Sequence, residues 1–552
     1  MIFSSRYEID VPKVDLLTYL FGTHYSEPTW LTMLTWKKET PCNPTTPIYV
    51  AADNPSRKFN KDEVQTLIKK LAAGLRKVLN IRDDDVVLMF GENSCWERFV
   101  LEESSPEPTQ GIPVLLNTSG AKCIFTDRQR LETAKEAAKT VGLAPEAIVL
   151  VASDGQGTNE DIRSLQSLLT HGTHSWTTIS DVKVLADRPA VLNFSSGTTG
   201  LPKACAVTHQ NLVANSEQTL HLDRMARKRL SDPSFAANDV HCAYLPIYHA
   251  MGLLTYCVVN VKRGCTTAIM PRFDLKLLLN SIQLFKVTYL LLVPPVVAML
   301  AKNPLVSEYD MSTVKFLICG AAPLQRDLEL QLEAIFSKSG AKSRQGWGMS
   351  EATMAVTLFG PDEFDPSHES VGYIVPNMQV KVINEEGEAV GYDEEGEAII
   401  RGPNVFKGYY KNPTATKDAF TEDGWLKTGD IVKIGKNGLV SIADRKKELI
   451  KVKGFQVAPS ELEGHLLQHE GVQDCAVIRV MRDGQEHPQA HIVRKDSGVT
   501  ADSICAFMAE RLSAHKQITG GVVFTDVIPK SPSGKILRRM LSDVAKKPSS
   551  RL

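Results

Sequence analysis

The sequence lacks the cysteine pattern of a metal-binding or disulfide-bonded domain. Its ten cysteines are scattered from Cys42 to Cys505, with no CxxC pair and no histidines at ligand spacing. Zinc sites use closely spaced Cys and His, and small secreted domains use dense disulfide frameworks. We therefore expect neither, but free thiols buried in a reducing compartment.

An excess of charge of one sign and a long apolar run are also missing. Lys plus Arg number 63 and Asp plus Glu number 64, a net charge of -1, so no global attraction to nucleic acid or to an anionic membrane is expected. The longest apolar stretch, residues 289–301, contains Pro294 and Pro295 and is too short to cross a bilayer. Glu8 and Asp10 make the start of the chain unlike a secretory signal. These absences predict a soluble intracellular protein without a transmembrane segment.

The chain is too long for one hydrophobic core, since 552 residues exceed the size at which chains divide into domains. Apolar, β-rich segments alternate with segments of helical periodicity, which favours an α/β architecture with largely parallel sheets. The predicted strands are residues 86–90, 122–126, 147–151, 240–245 and 314–319. The predicted helices between them are residues 61–79, 131–140 and 327–338.

Two changes in the sequence pattern divide the rest of the chain. From Val371 onward, short strands and turns such as Glu385-Glu386-Gly387 predict a small β subdomain. The charged string Asp444-Arg445-Lys446-Lys447 follows, and enough chain remains for a small α/β domain. We therefore predict an N-terminal domain of residues 1–443, made of two α/β subdomains and the β subdomain, and a C-terminal domain of residues 444–552.

The string Phe194-Ser195-Ser196-Gly197-Thr198-Thr199-Gly200-Leu201-Pro202-Lys203 carries the most information about function. It follows an apolar run and precedes a predicted helix at residues 211–220. Two glycines let backbone N–H groups turn inward, four hydroxyls add donors and Lys203 adds a positive charge, which together suit a triphosphate. The spacing is not that of a Walker loop. A flexible Ser/Gly/Thr linker is the alternative interpretation.

This string resembles the phosphate loop of adenylate-forming enzymes, the family of acyl–CoA synthetases, coumarate–CoA ligases, firefly luciferase and peptide-synthetase adenylation domains. Further strings that resemble motifs of that family follow in the family's order, over roughly residues 180–540. They are Tyr244-Leu245-Pro246-Ile247-Tyr248-His249, Gly320-Ala321-Ala322-Pro323, Gln345-Gly346-Trp347-Gly348-Met349-Ser350-Glu351, Trp425-Leu426-Lys427-Thr428-Gly429-Asp430, Asp444-Arg445-Lys446-Lys447, Lys451-Val452-Lys453-Gly454-Phe455-Gln456 and Pro529-Lys530-Ser531-Pro532-Ser533-Gly534-Lys535-Ile536-Leu537-Arg538. The resemblance implies an acid–CoA ligase, closest to the coumarate–CoA ligase group, that uses ATP, Mg²⁺ and coenzyme A.

For ATP, the resemblance implies contacts spread over several strings. Phosphate, adenine and α-phosphate contacts fall on Ser195, Ser196, Gly197, Thr198, Thr199, Gly200, Lys203, Gly320, Ala321, Ala322, Gln345, Gly346, Trp347, Gly348, Met349 and Ser350. Trp347 occupies a place where Tyr is usual, and its larger ring can stack on adenine equally well. Glu351 would hold Mg²⁺, which one carboxylate and phosphate oxygens can bind. Asp430 would accept both ribose hydroxyls, with Arg445 as its companion.

The resemblance also implies which side chains act in the two half-reactions. Lys535 is similar to the lysine that bridges the acyl carboxylate and the α-phosphate, where a cation stabilises the charge of the transition state. His249 would orient that carboxylate or gate the acyl pocket. Lys447 is the implied hinge of a mobile C-terminal domain. Its rotation would present a second face, with Lys451, Lys453, Gly454 and Gln456, for thioester formation.

The acyl pocket is expected at positions that line it in coumarate–CoA ligases. These are Met251, Gly320, Gly346, Met354 and Ala355, which are small or apolar and include no Arg or Lys to pair a second carboxylate. An aryl-alkanoic or medium-chain fatty acid is therefore the predicted substrate class, although methionine is an adaptable lining residue.

One segment departs from the family pattern. Between Cys95 and Leu116 the chain is shorter than expected, and Glu102-Glu103-Ser104-Ser105-Pro106-Glu107-Pro108-Thr109-Gln110-Gly111 reads as a loop where a βα unit is usual. A missing layer in the N-terminal subdomain would lower stability, whereas the strings described above all lie elsewhere.

The sequence ends Ser550-Arg551-Leu552, which keeps the small–basic–leucine pattern of the peroxisomal tripeptide. A peroxisomal import receptor is therefore a predicted partner and the peroxisomal matrix a predicted location, with the cytoplasm as the other choice. A disordered tail with a chance ending is the alternative.

Three other functions stay open at this point. A luciferase-like oxygenase also makes an adenylate but then consumes oxygen, so dependence on coenzyme A would separate the two. A peptide-synthetase module would normally be followed by a carrier domain. A non-catalytic homologue finds support only in the atypical segment 95–116, against the intact Lys203, Glu351, Asp430, Arg445 and Lys535.

Overall fold

The computed structural model describes residues 1–22, 45–93, 111–151, 162–195, 202–231, 239–452, 455–482, 484–530, 535–538 and 540–542. Three groups of predicted residues therefore lie outside the described part of the chain. They are residues 196–200 of the phosphate string, Lys453 with Gly454, and the tripeptide 550–552.

The largest sheet has seven strands, and its topology indicates where a ligand site can form. Its strands, in spatial order, are Lys342–Gln345, Phe316–Cys319, Tyr289–Leu292, Val240–Ala243, Thr266–Ile269, Pro47–Ala51 and Lys58–Asn60. Neighbours are parallel except the last pair, which is antiparallel. The chain order reverses at Val240–Ala243, from which the sheet grows in both directions. Open α/β sheets bind ligands beyond the carboxyl ends of the strands at such a switch point.

A second, four-stranded parallel sheet forms the other α/β unit. Its strands are Val87–Phe90, Cys123–Thr126, Ile148–Leu150 and Arg163–Ser164. The helix Ile112–Ser119 packs here, with Ile112 and Leu115 fully buried in the core of this unit. Pro113 in the first turn and the apolar face of this helix favour helix formation directly after the residues predicted as a loop, 102–111. Of those residues only Gly111 is described, so the loop stays a prediction. Residues 94–110 lie outside the described part.

Helices connect and cover these sheets. In chain order they are Leu16–Phe21, Lys61–Val78, Ile112–Ser119, Leu131–Val141, Leu165–Leu168, Val182–Asp187, His209–Leu230, Ala250–Gly252 continued by the π-helix Leu253–Val259 and by Asn260–Arg263, Leu275–Phe285, Pro294–Lys302, Arg326–Ile335, Pro413–Ala419, Pro459–Leu466 and Ala501–Ala509. The helix His209–Leu230 starts at a capping box of Thr208 and Asn211, which satisfies two N–H groups that the helix itself leaves unpaired.

The β subdomain is an antiparallel sheet of the strands Phe3–Ser4, Gln379–Ile383, Glu395–Arg401, Leu426–Ile434 and Val440–Arg445. Alternate residues of Gln379–Ile383 are buried, as expected for a sheet with one covered face. A three-stranded antiparallel sheet of Trp347–Gly348, Ala355–Leu358 and Tyr373–Ile374 lies between the seven-stranded sheet and this subdomain in the chain. The small β subdomain that was predicted from Val371 onward is confirmed.

The C-terminal region has apolar clusters of its own, which begin at Ile450. Its strands are Val472–Arg482, Gln485–Arg494 and Val522–Phe524, together with the hairpin of Ile450–Val452 and Phe455–Val457. Asp444, at the end of the β subdomain, accepts hydrogen bonds from the backbone N–H (3.2 Å) and the hydroxyl (3.0 Å) of Ser460. Lys447 is exposed in the connection between the two units. The boundary at residue 444 and the hinge stay predictions.

The predicted fold class is confirmed: the chain is α/β, with a large N-terminal part and a small C-terminal part. All five predicted strands and the three helices predicted between them are present, with ends that differ by a few residues, and the helix predicted at residues 211–220 is part of the longer helix His209–Leu230. Among the residues that the structure describes, none of the helices combines the length and the apolar character needed to span a membrane.

Candidate active site

The two ends of the predicted phosphate loop are held together by a β-hairpin. The strands Pro189–Ser195 and Lys203–Thr208 pair antiparallel, and Ser195 lies directly opposite Lys203. Residues 196–201 between them lie outside the described part. The hairpin therefore fixes where the loop starts and ends, and places the Lys203 cation at its base.

A tyrosine links Lys203 to the predicted Mg²⁺ residue. The Lys203 ammonium lies 4.9 Å from the centre of the Tyr409 ring, a cation–π distance. The Tyr409 hydroxyl donates to Oε1 of Glu351 at 2.9 Å. Burial and the neighbouring carboxylate of Glu351 raise the pKa of Tyr409, so the hydroxyl keeps its proton and stays a donor.

Tyr409 is a site residue that sequence reasoning missed. It lies in Gly408-Tyr409-Tyr410, and its backbone bridges to Cys205 beside the phosphate hairpin. The only signal in the sequence is an aromatic pair between a glycine and a nearby proline, which is typical of many turns. Nothing in that pattern indicates a contact with Glu351, 58 residues away along the chain.

Glu351 is suited to hold a divalent cation together with substrate phosphates. It is buried in the 3₁₀ turn Ser350–Ala352, and its carbonyl accepts from the N–H of Phe406 at 2.8 Å. Within the described residues, no group of three or more His, Cys, Asp or Glu could form a metal site by itself. Mg²⁺ commonly binds through one or two carboxylates plus phosphate oxygens, and the residues fit that arrangement.

The carboxylate of Asp430 is contacted by residues from two parts of the chain. It is 5% exposed and pairs in the sheet with Arg445, whose Nε lies 3.3 Å from Oδ1. The indole N–H of Trp347 donates to Oδ2 at 2.9 Å. Burial raises the pKa of Asp430, while Arg445 and the Trp347 hydrogen bond lower it. The structure thus places Asp430 beside Arg445, the pair predicted for the ribose, and adds Trp347, which was predicted for the adenine.

The predicted adenine segment leaves the carboxyl end of the strand Phe316–Cys319. The N–H of Gly320 donates to the carbonyl of Leu292, and Ala321 adopts a left-handed conformation with φ 71°. Ala322 continues this turn. Gln345, predicted as a nucleotide contact, uses both ends of its amide on the backbone of Leu324, at 2.9 and 3.1 Å. These two hydrogen bonds of Gln345 stabilise the turn that follows Cys319.

Lys535 reaches the same place from the C-terminal region. It is close enough to Arg445, Glu448, Asp430 and Glu351 to interact with their charges. Burial, together with repulsion from Arg445, lowers its pKa to about 8. Arg538, three residues further, donates to Glu448 at 3.0 Å and to Glu463 at 3.1 Å, which anchors this segment.

The other predicted face of the C-terminal region makes different contacts. Lys451 and Gln456 lie opposite each other in the hairpin, and the N–H of Lys451 donates to Glu486 at 2.6 Å. The amide of Gln456 donates to Glu385 at 2.5 Å. In the described contacts, neither side chain touches Glu351, Asp430 or Lys535, so the structure does not bring the two faces together.

His249 and the predicted acyl-pocket residues form an uncharged region. Nε2 of His249 is buried without a hydrogen-bond partner, and burial lowers the pKa of His249 to about 4, so the ring is neutral near pH 7. A Cβ on Gly320 would lie 3.3 Å from Sδ of Met251 and 3.8 Å from the carbonyl of Gly346. Met354 contacts Thr255 (Oγ1 to Sδ 3.7 Å).

The remaining predicted residues lie on the strand and turn that carry Trp347. Ala355 is buried, and its N–H donates to Asn215 at 3.0 Å. Gly348 faces the carbonyl of Met354 so closely that an added Cβ would lie 1.6 Å from that oxygen. Met349 is extended and leads into Ser350, the start of the turn that carries Glu351. Gly348 is therefore required by the close approach of two backbone segments.

Comparison with known proteins agrees with this geometry. The AMP-binding enzyme family matches residues 108–410, and the AMP-binding enzyme C-terminal domain matches residues 461–535. A putative acyl-coenzyme A synthetase from Emericella nidulans is 32% identical, over 99% of this chain and 98% of its own length. A 4-coumarate–CoA ligase from Pinus taeda is 35% identical, over 88% and 89%.

A solved structure has the same fold as this chain. ATP-bound MatB from Rhodopseudomonas palustris is 25% identical and superposes with a TM-score of 0.81, over 97% of this chain and 99% of that one. The apo form of MatB superposes with a TM-score of 0.69. Both comparisons show the same fold.

We expect Gly348→Ala to destabilise the protein by about 2–3 kcal/mol, because its Cβ would force backbone apart next to Trp347. The measurement is the shift of the urea unfolding midpoint. Gly391→Ala is the control, since its Cβ would meet only a side-chain oxygen of Glu394 at 3.0 Å. Equal midpoints for the two variants would contradict the expectation.

Proposed function

This chain belongs to the AMP-binding enzyme family, and we propose that it is an AMP-forming acid–thiol ligase, which activates a carboxylic acid with ATP and transfers the acyl group to coenzyme A. The observation that carries the proposal is the convergence of three charged side chains from distant parts of the chain. Lys535 is close enough to the buried carboxylates of Glu351 and Asp430 to interact with both of their charges. Such a site suits a nucleotide and the negative charge that develops on its phosphate.

In the first half-reaction, a carboxylate oxygen of the acid attacks the α-phosphorus of ATP. A new P–O bond forms while the bond to pyrophosphate breaks, and pyrophosphate leaves with the bonding electrons. Lys535 and Ser350 stabilise the charge on the α-phosphate oxygens, and Lys203 lies on the leaving-group side. Glu351, held by Tyr409, would hold Mg²⁺, which when bound neutralises charge on the phosphate oxygens.

The nucleotide is held by residues that the fold places around the same site. Asp430 accepts from the ribose hydroxyls, beside Arg445. Trp347 and the turn at Gly320, Ala321 and Ala322 provide the adenine surface. Support comes from the position of this turn at the carboxyl edge of the seven-stranded sheet, two strands from its switch point.

In the second half-reaction, the sulfur of coenzyme A attacks the acyl carbonyl, the thiol proton is released, and AMP leaves. We propose that the C-terminal region turns about Lys447 between the steps. The separate positions of Lys535 and of the Lys451–Gln456 pair support this, since a single arrangement does not bring both to the site. The higher TM-score with the ATP-bound form of MatB than with its apo form supports the proposal that this arrangement belongs to the adenylation step.

For the acid, an uncharged substrate chain is proposed, in the aryl-alkanoic or medium-chain fatty class. The predicted pocket residues that meet in the structure are Met251, Gly320 and Gly346, with His249 neutral beside them in the chain. A second carboxylate entering this region would lose its hydration without gaining a cation.

Peroxisomal location is a further proposal, and it rests on residues 550–552 alone. The pattern small–basic–leucine is of the type that an import receptor reads. It is independent of the catalytic proposal.

The direct test is incubation of the purified protein with Mg²⁺, ATP and a panel of acids, with and without coenzyme A. We expect acid-dependent release of pyrophosphate and an acyl–CoA product detected by mass, for monocarboxylic aryl-alkanoic or medium-chain acids. Dicarboxylic acids of the same length should react at least about tenfold more slowly. Pyrophosphate release without a thioester would indicate another acceptor, and oxygen consumption would favour the luciferase-like alternative.

Lys535→Ala should lower the rate of adenylation by about a hundredfold or more, because it removes a cation from the transition state. Since the pKa of Lys535 is lowered to about 8, its charge is present below that pH and is lost as pH rises through it. The wild-type kcat/KM for adenylation should therefore fall above about pH 8, and Lys535→Arg, which keeps its charge, should abolish this fall.

Lys530→Ala is the matched control for this prediction. Lys530 belongs to the same string but pairs with Asp474 at 2.6 Å, away from the site residues. It should keep both the rate and the alkaline fall. An alkaline fall that persists unchanged in Lys535→Arg would assign that titration to another group.

Gln456→Ala and Lys451→Ala should affect only the second half-reaction. We expect acid-dependent exchange of pyrophosphate into ATP to stay within about twofold of wild type, while acyl–CoA formation falls by about tenfold or more. Both steps are measured on the same preparations. An equal loss in both steps would argue against separate faces for the two half-reactions.

A further inference from the structure

The carboxylate of Asp430 has a defined partner on each oxygen. The indole N–H of Trp347 lies 2.9 Å from Oδ2, and Nε of Arg445 lies 3.3 Å from Oδ1. An ionised carboxylate has about four lone-pair directions, two on each oxygen. The indole N–H uses one direction on Oδ2, and Arg445 contacts Oδ1 as an ion pair, so each oxygen keeps at least one direction for a further donor. Two adjacent ribose hydroxyls can then each donate a hydrogen bond to a different oxygen of the carboxylate.

We propose that Trp347 is a positioning residue for ribose recognition: its indole N–H fixes the orientation of the Asp430 carboxylate, so that nucleotide affinity and selectivity for a ribose over a 2′-deoxyribose depend on this hydrogen bond. The inference rests on the proposed function, because it takes this site to be the nucleotide site. In this proposal the N–H on the edge of the Trp347 ring orients Asp430, and this role is separate from stacking of the ring face on adenine.

The indole supplies a donor where a smaller aromatic ring would not. The N–H of Trp lies on the ring edge, whereas Tyr carries its hydroxyl at the far end of the ring and Phe has no donor. Trp347 is 6% exposed and pairs in the sheet with Thr357. The next residue, Gly348, packs against the carbonyl of Met354. The backbone and the surrounding side chains therefore hold the indole in place.

The hydrogen bond matters because Asp430 is buried. Burial raises its pKa, and the groups that favour its ionised form are Arg445, the Trp347 N–H and Lys535, while the charge of Glu448 opposes them. Replacing Trp347 by a residue without the indole N–H removes one of the groups that favour the ionised carboxylate. The pKa of Asp430 then rises further, and protonation, which weakens its acceptance of ribose hydroxyls, begins at a higher pH.

The test is the affinity of the full-length protein for Mg²⁺–ATP and for Mg²⁺–2′-deoxyATP, measured by calorimetry between pH 5 and pH 8 without an acid substrate. For Trp347→Phe we expect the Kd for ATP to rise by about tenfold, since a hydrogen bond to a charged group is lost. The preference for ATP over 2′-deoxyATP should fall. The pH below which ATP binding weakens should move upward.

Trp176→Phe is the matched control, because the indole N–H of Trp176 also donates, to the hydroxyl of Thr18 at 3.3 Å. It should leave all three quantities unchanged. Benzothienylalanine at position 347 keeps the shape of the ring and lacks the N–H, which provides a second variant if Trp347→Phe folds poorly. It should reproduce the loss of selectivity and the shift in pH.

Equal losses of affinity for both nucleotides, without a shift in pH, would mean that Trp347 acts by stacking alone and would overturn the inference. Wild-type behaviour of the benzothienylalanine protein would do the same. Asp430→Asn separates this from failure of the proposed function. If Asp430→Asn weakens ATP binding and the Trp347 variants do not, only the inference fails. If none of these variants changes ATP binding, the nucleotide site itself is wrongly assigned.

Discussion

The buried carboxylate of Asp430 is the constraint on which the rest of the site depends. Its own strand belongs to the β subdomain, Trp347 reaches it from the main domain, and Lys535 reaches it from the C-terminal region. Burial alone would favour the neutral acid. Arg445, the indole N–H and Lys535 act against this effect, so the pKa of the carboxylate depends on groups from three parts of the chain.

The same burial acts in the opposite direction on Lys535. Its ammonium loses hydration and meets Arg445, which together lower its pKa to about 8, while three carboxylates limit the effect. Negative phosphates entering the site would stabilise the charged lysine. In the proposed reaction, the departure of pyrophosphate would remove part of this stabilisation. That loss would favour the proposed rotation of the C-terminal region between the two half-reactions.

The fold and the charged centre of the site could be predicted from sequence because both leave local patterns. Alternating apolar segments indicated the parallel sheets, and short strings marked Lys203, Glu351, Asp430, Arg445 and Lys535. Tyr409 could not be found in this way, since its role comes from a contact with Glu351 across 58 residues.

Side-chain direction was the other information that the strings did not contain. Gln345 was expected to face the nucleotide, yet its amide is used on the backbone of Leu324. Trp347 was expected to present its face, and no pattern indicated that its edge would reach Asp430 across 83 residues. A motif thus predicts which residues gather at a site, but packing decides which atoms of each residue point into it.

The distribution of charge divides the site into two halves with different tasks. In the proposed function the nucleotide half contains the charged residues Lys203, Glu351, Asp430 and Lys535, whereas Met251 and His249, two described residues of the acyl half, are uncharged near pH 7. In the proposed reaction the carboxylate of the acid is the only charge that enters the neutral half. In the proposed reaction the cation of Lys535, which acts at the α-phosphate, attracts this carboxylate. Orientation of the acid then follows from desolvation and this attraction, with shape left to select among chains of similar polarity.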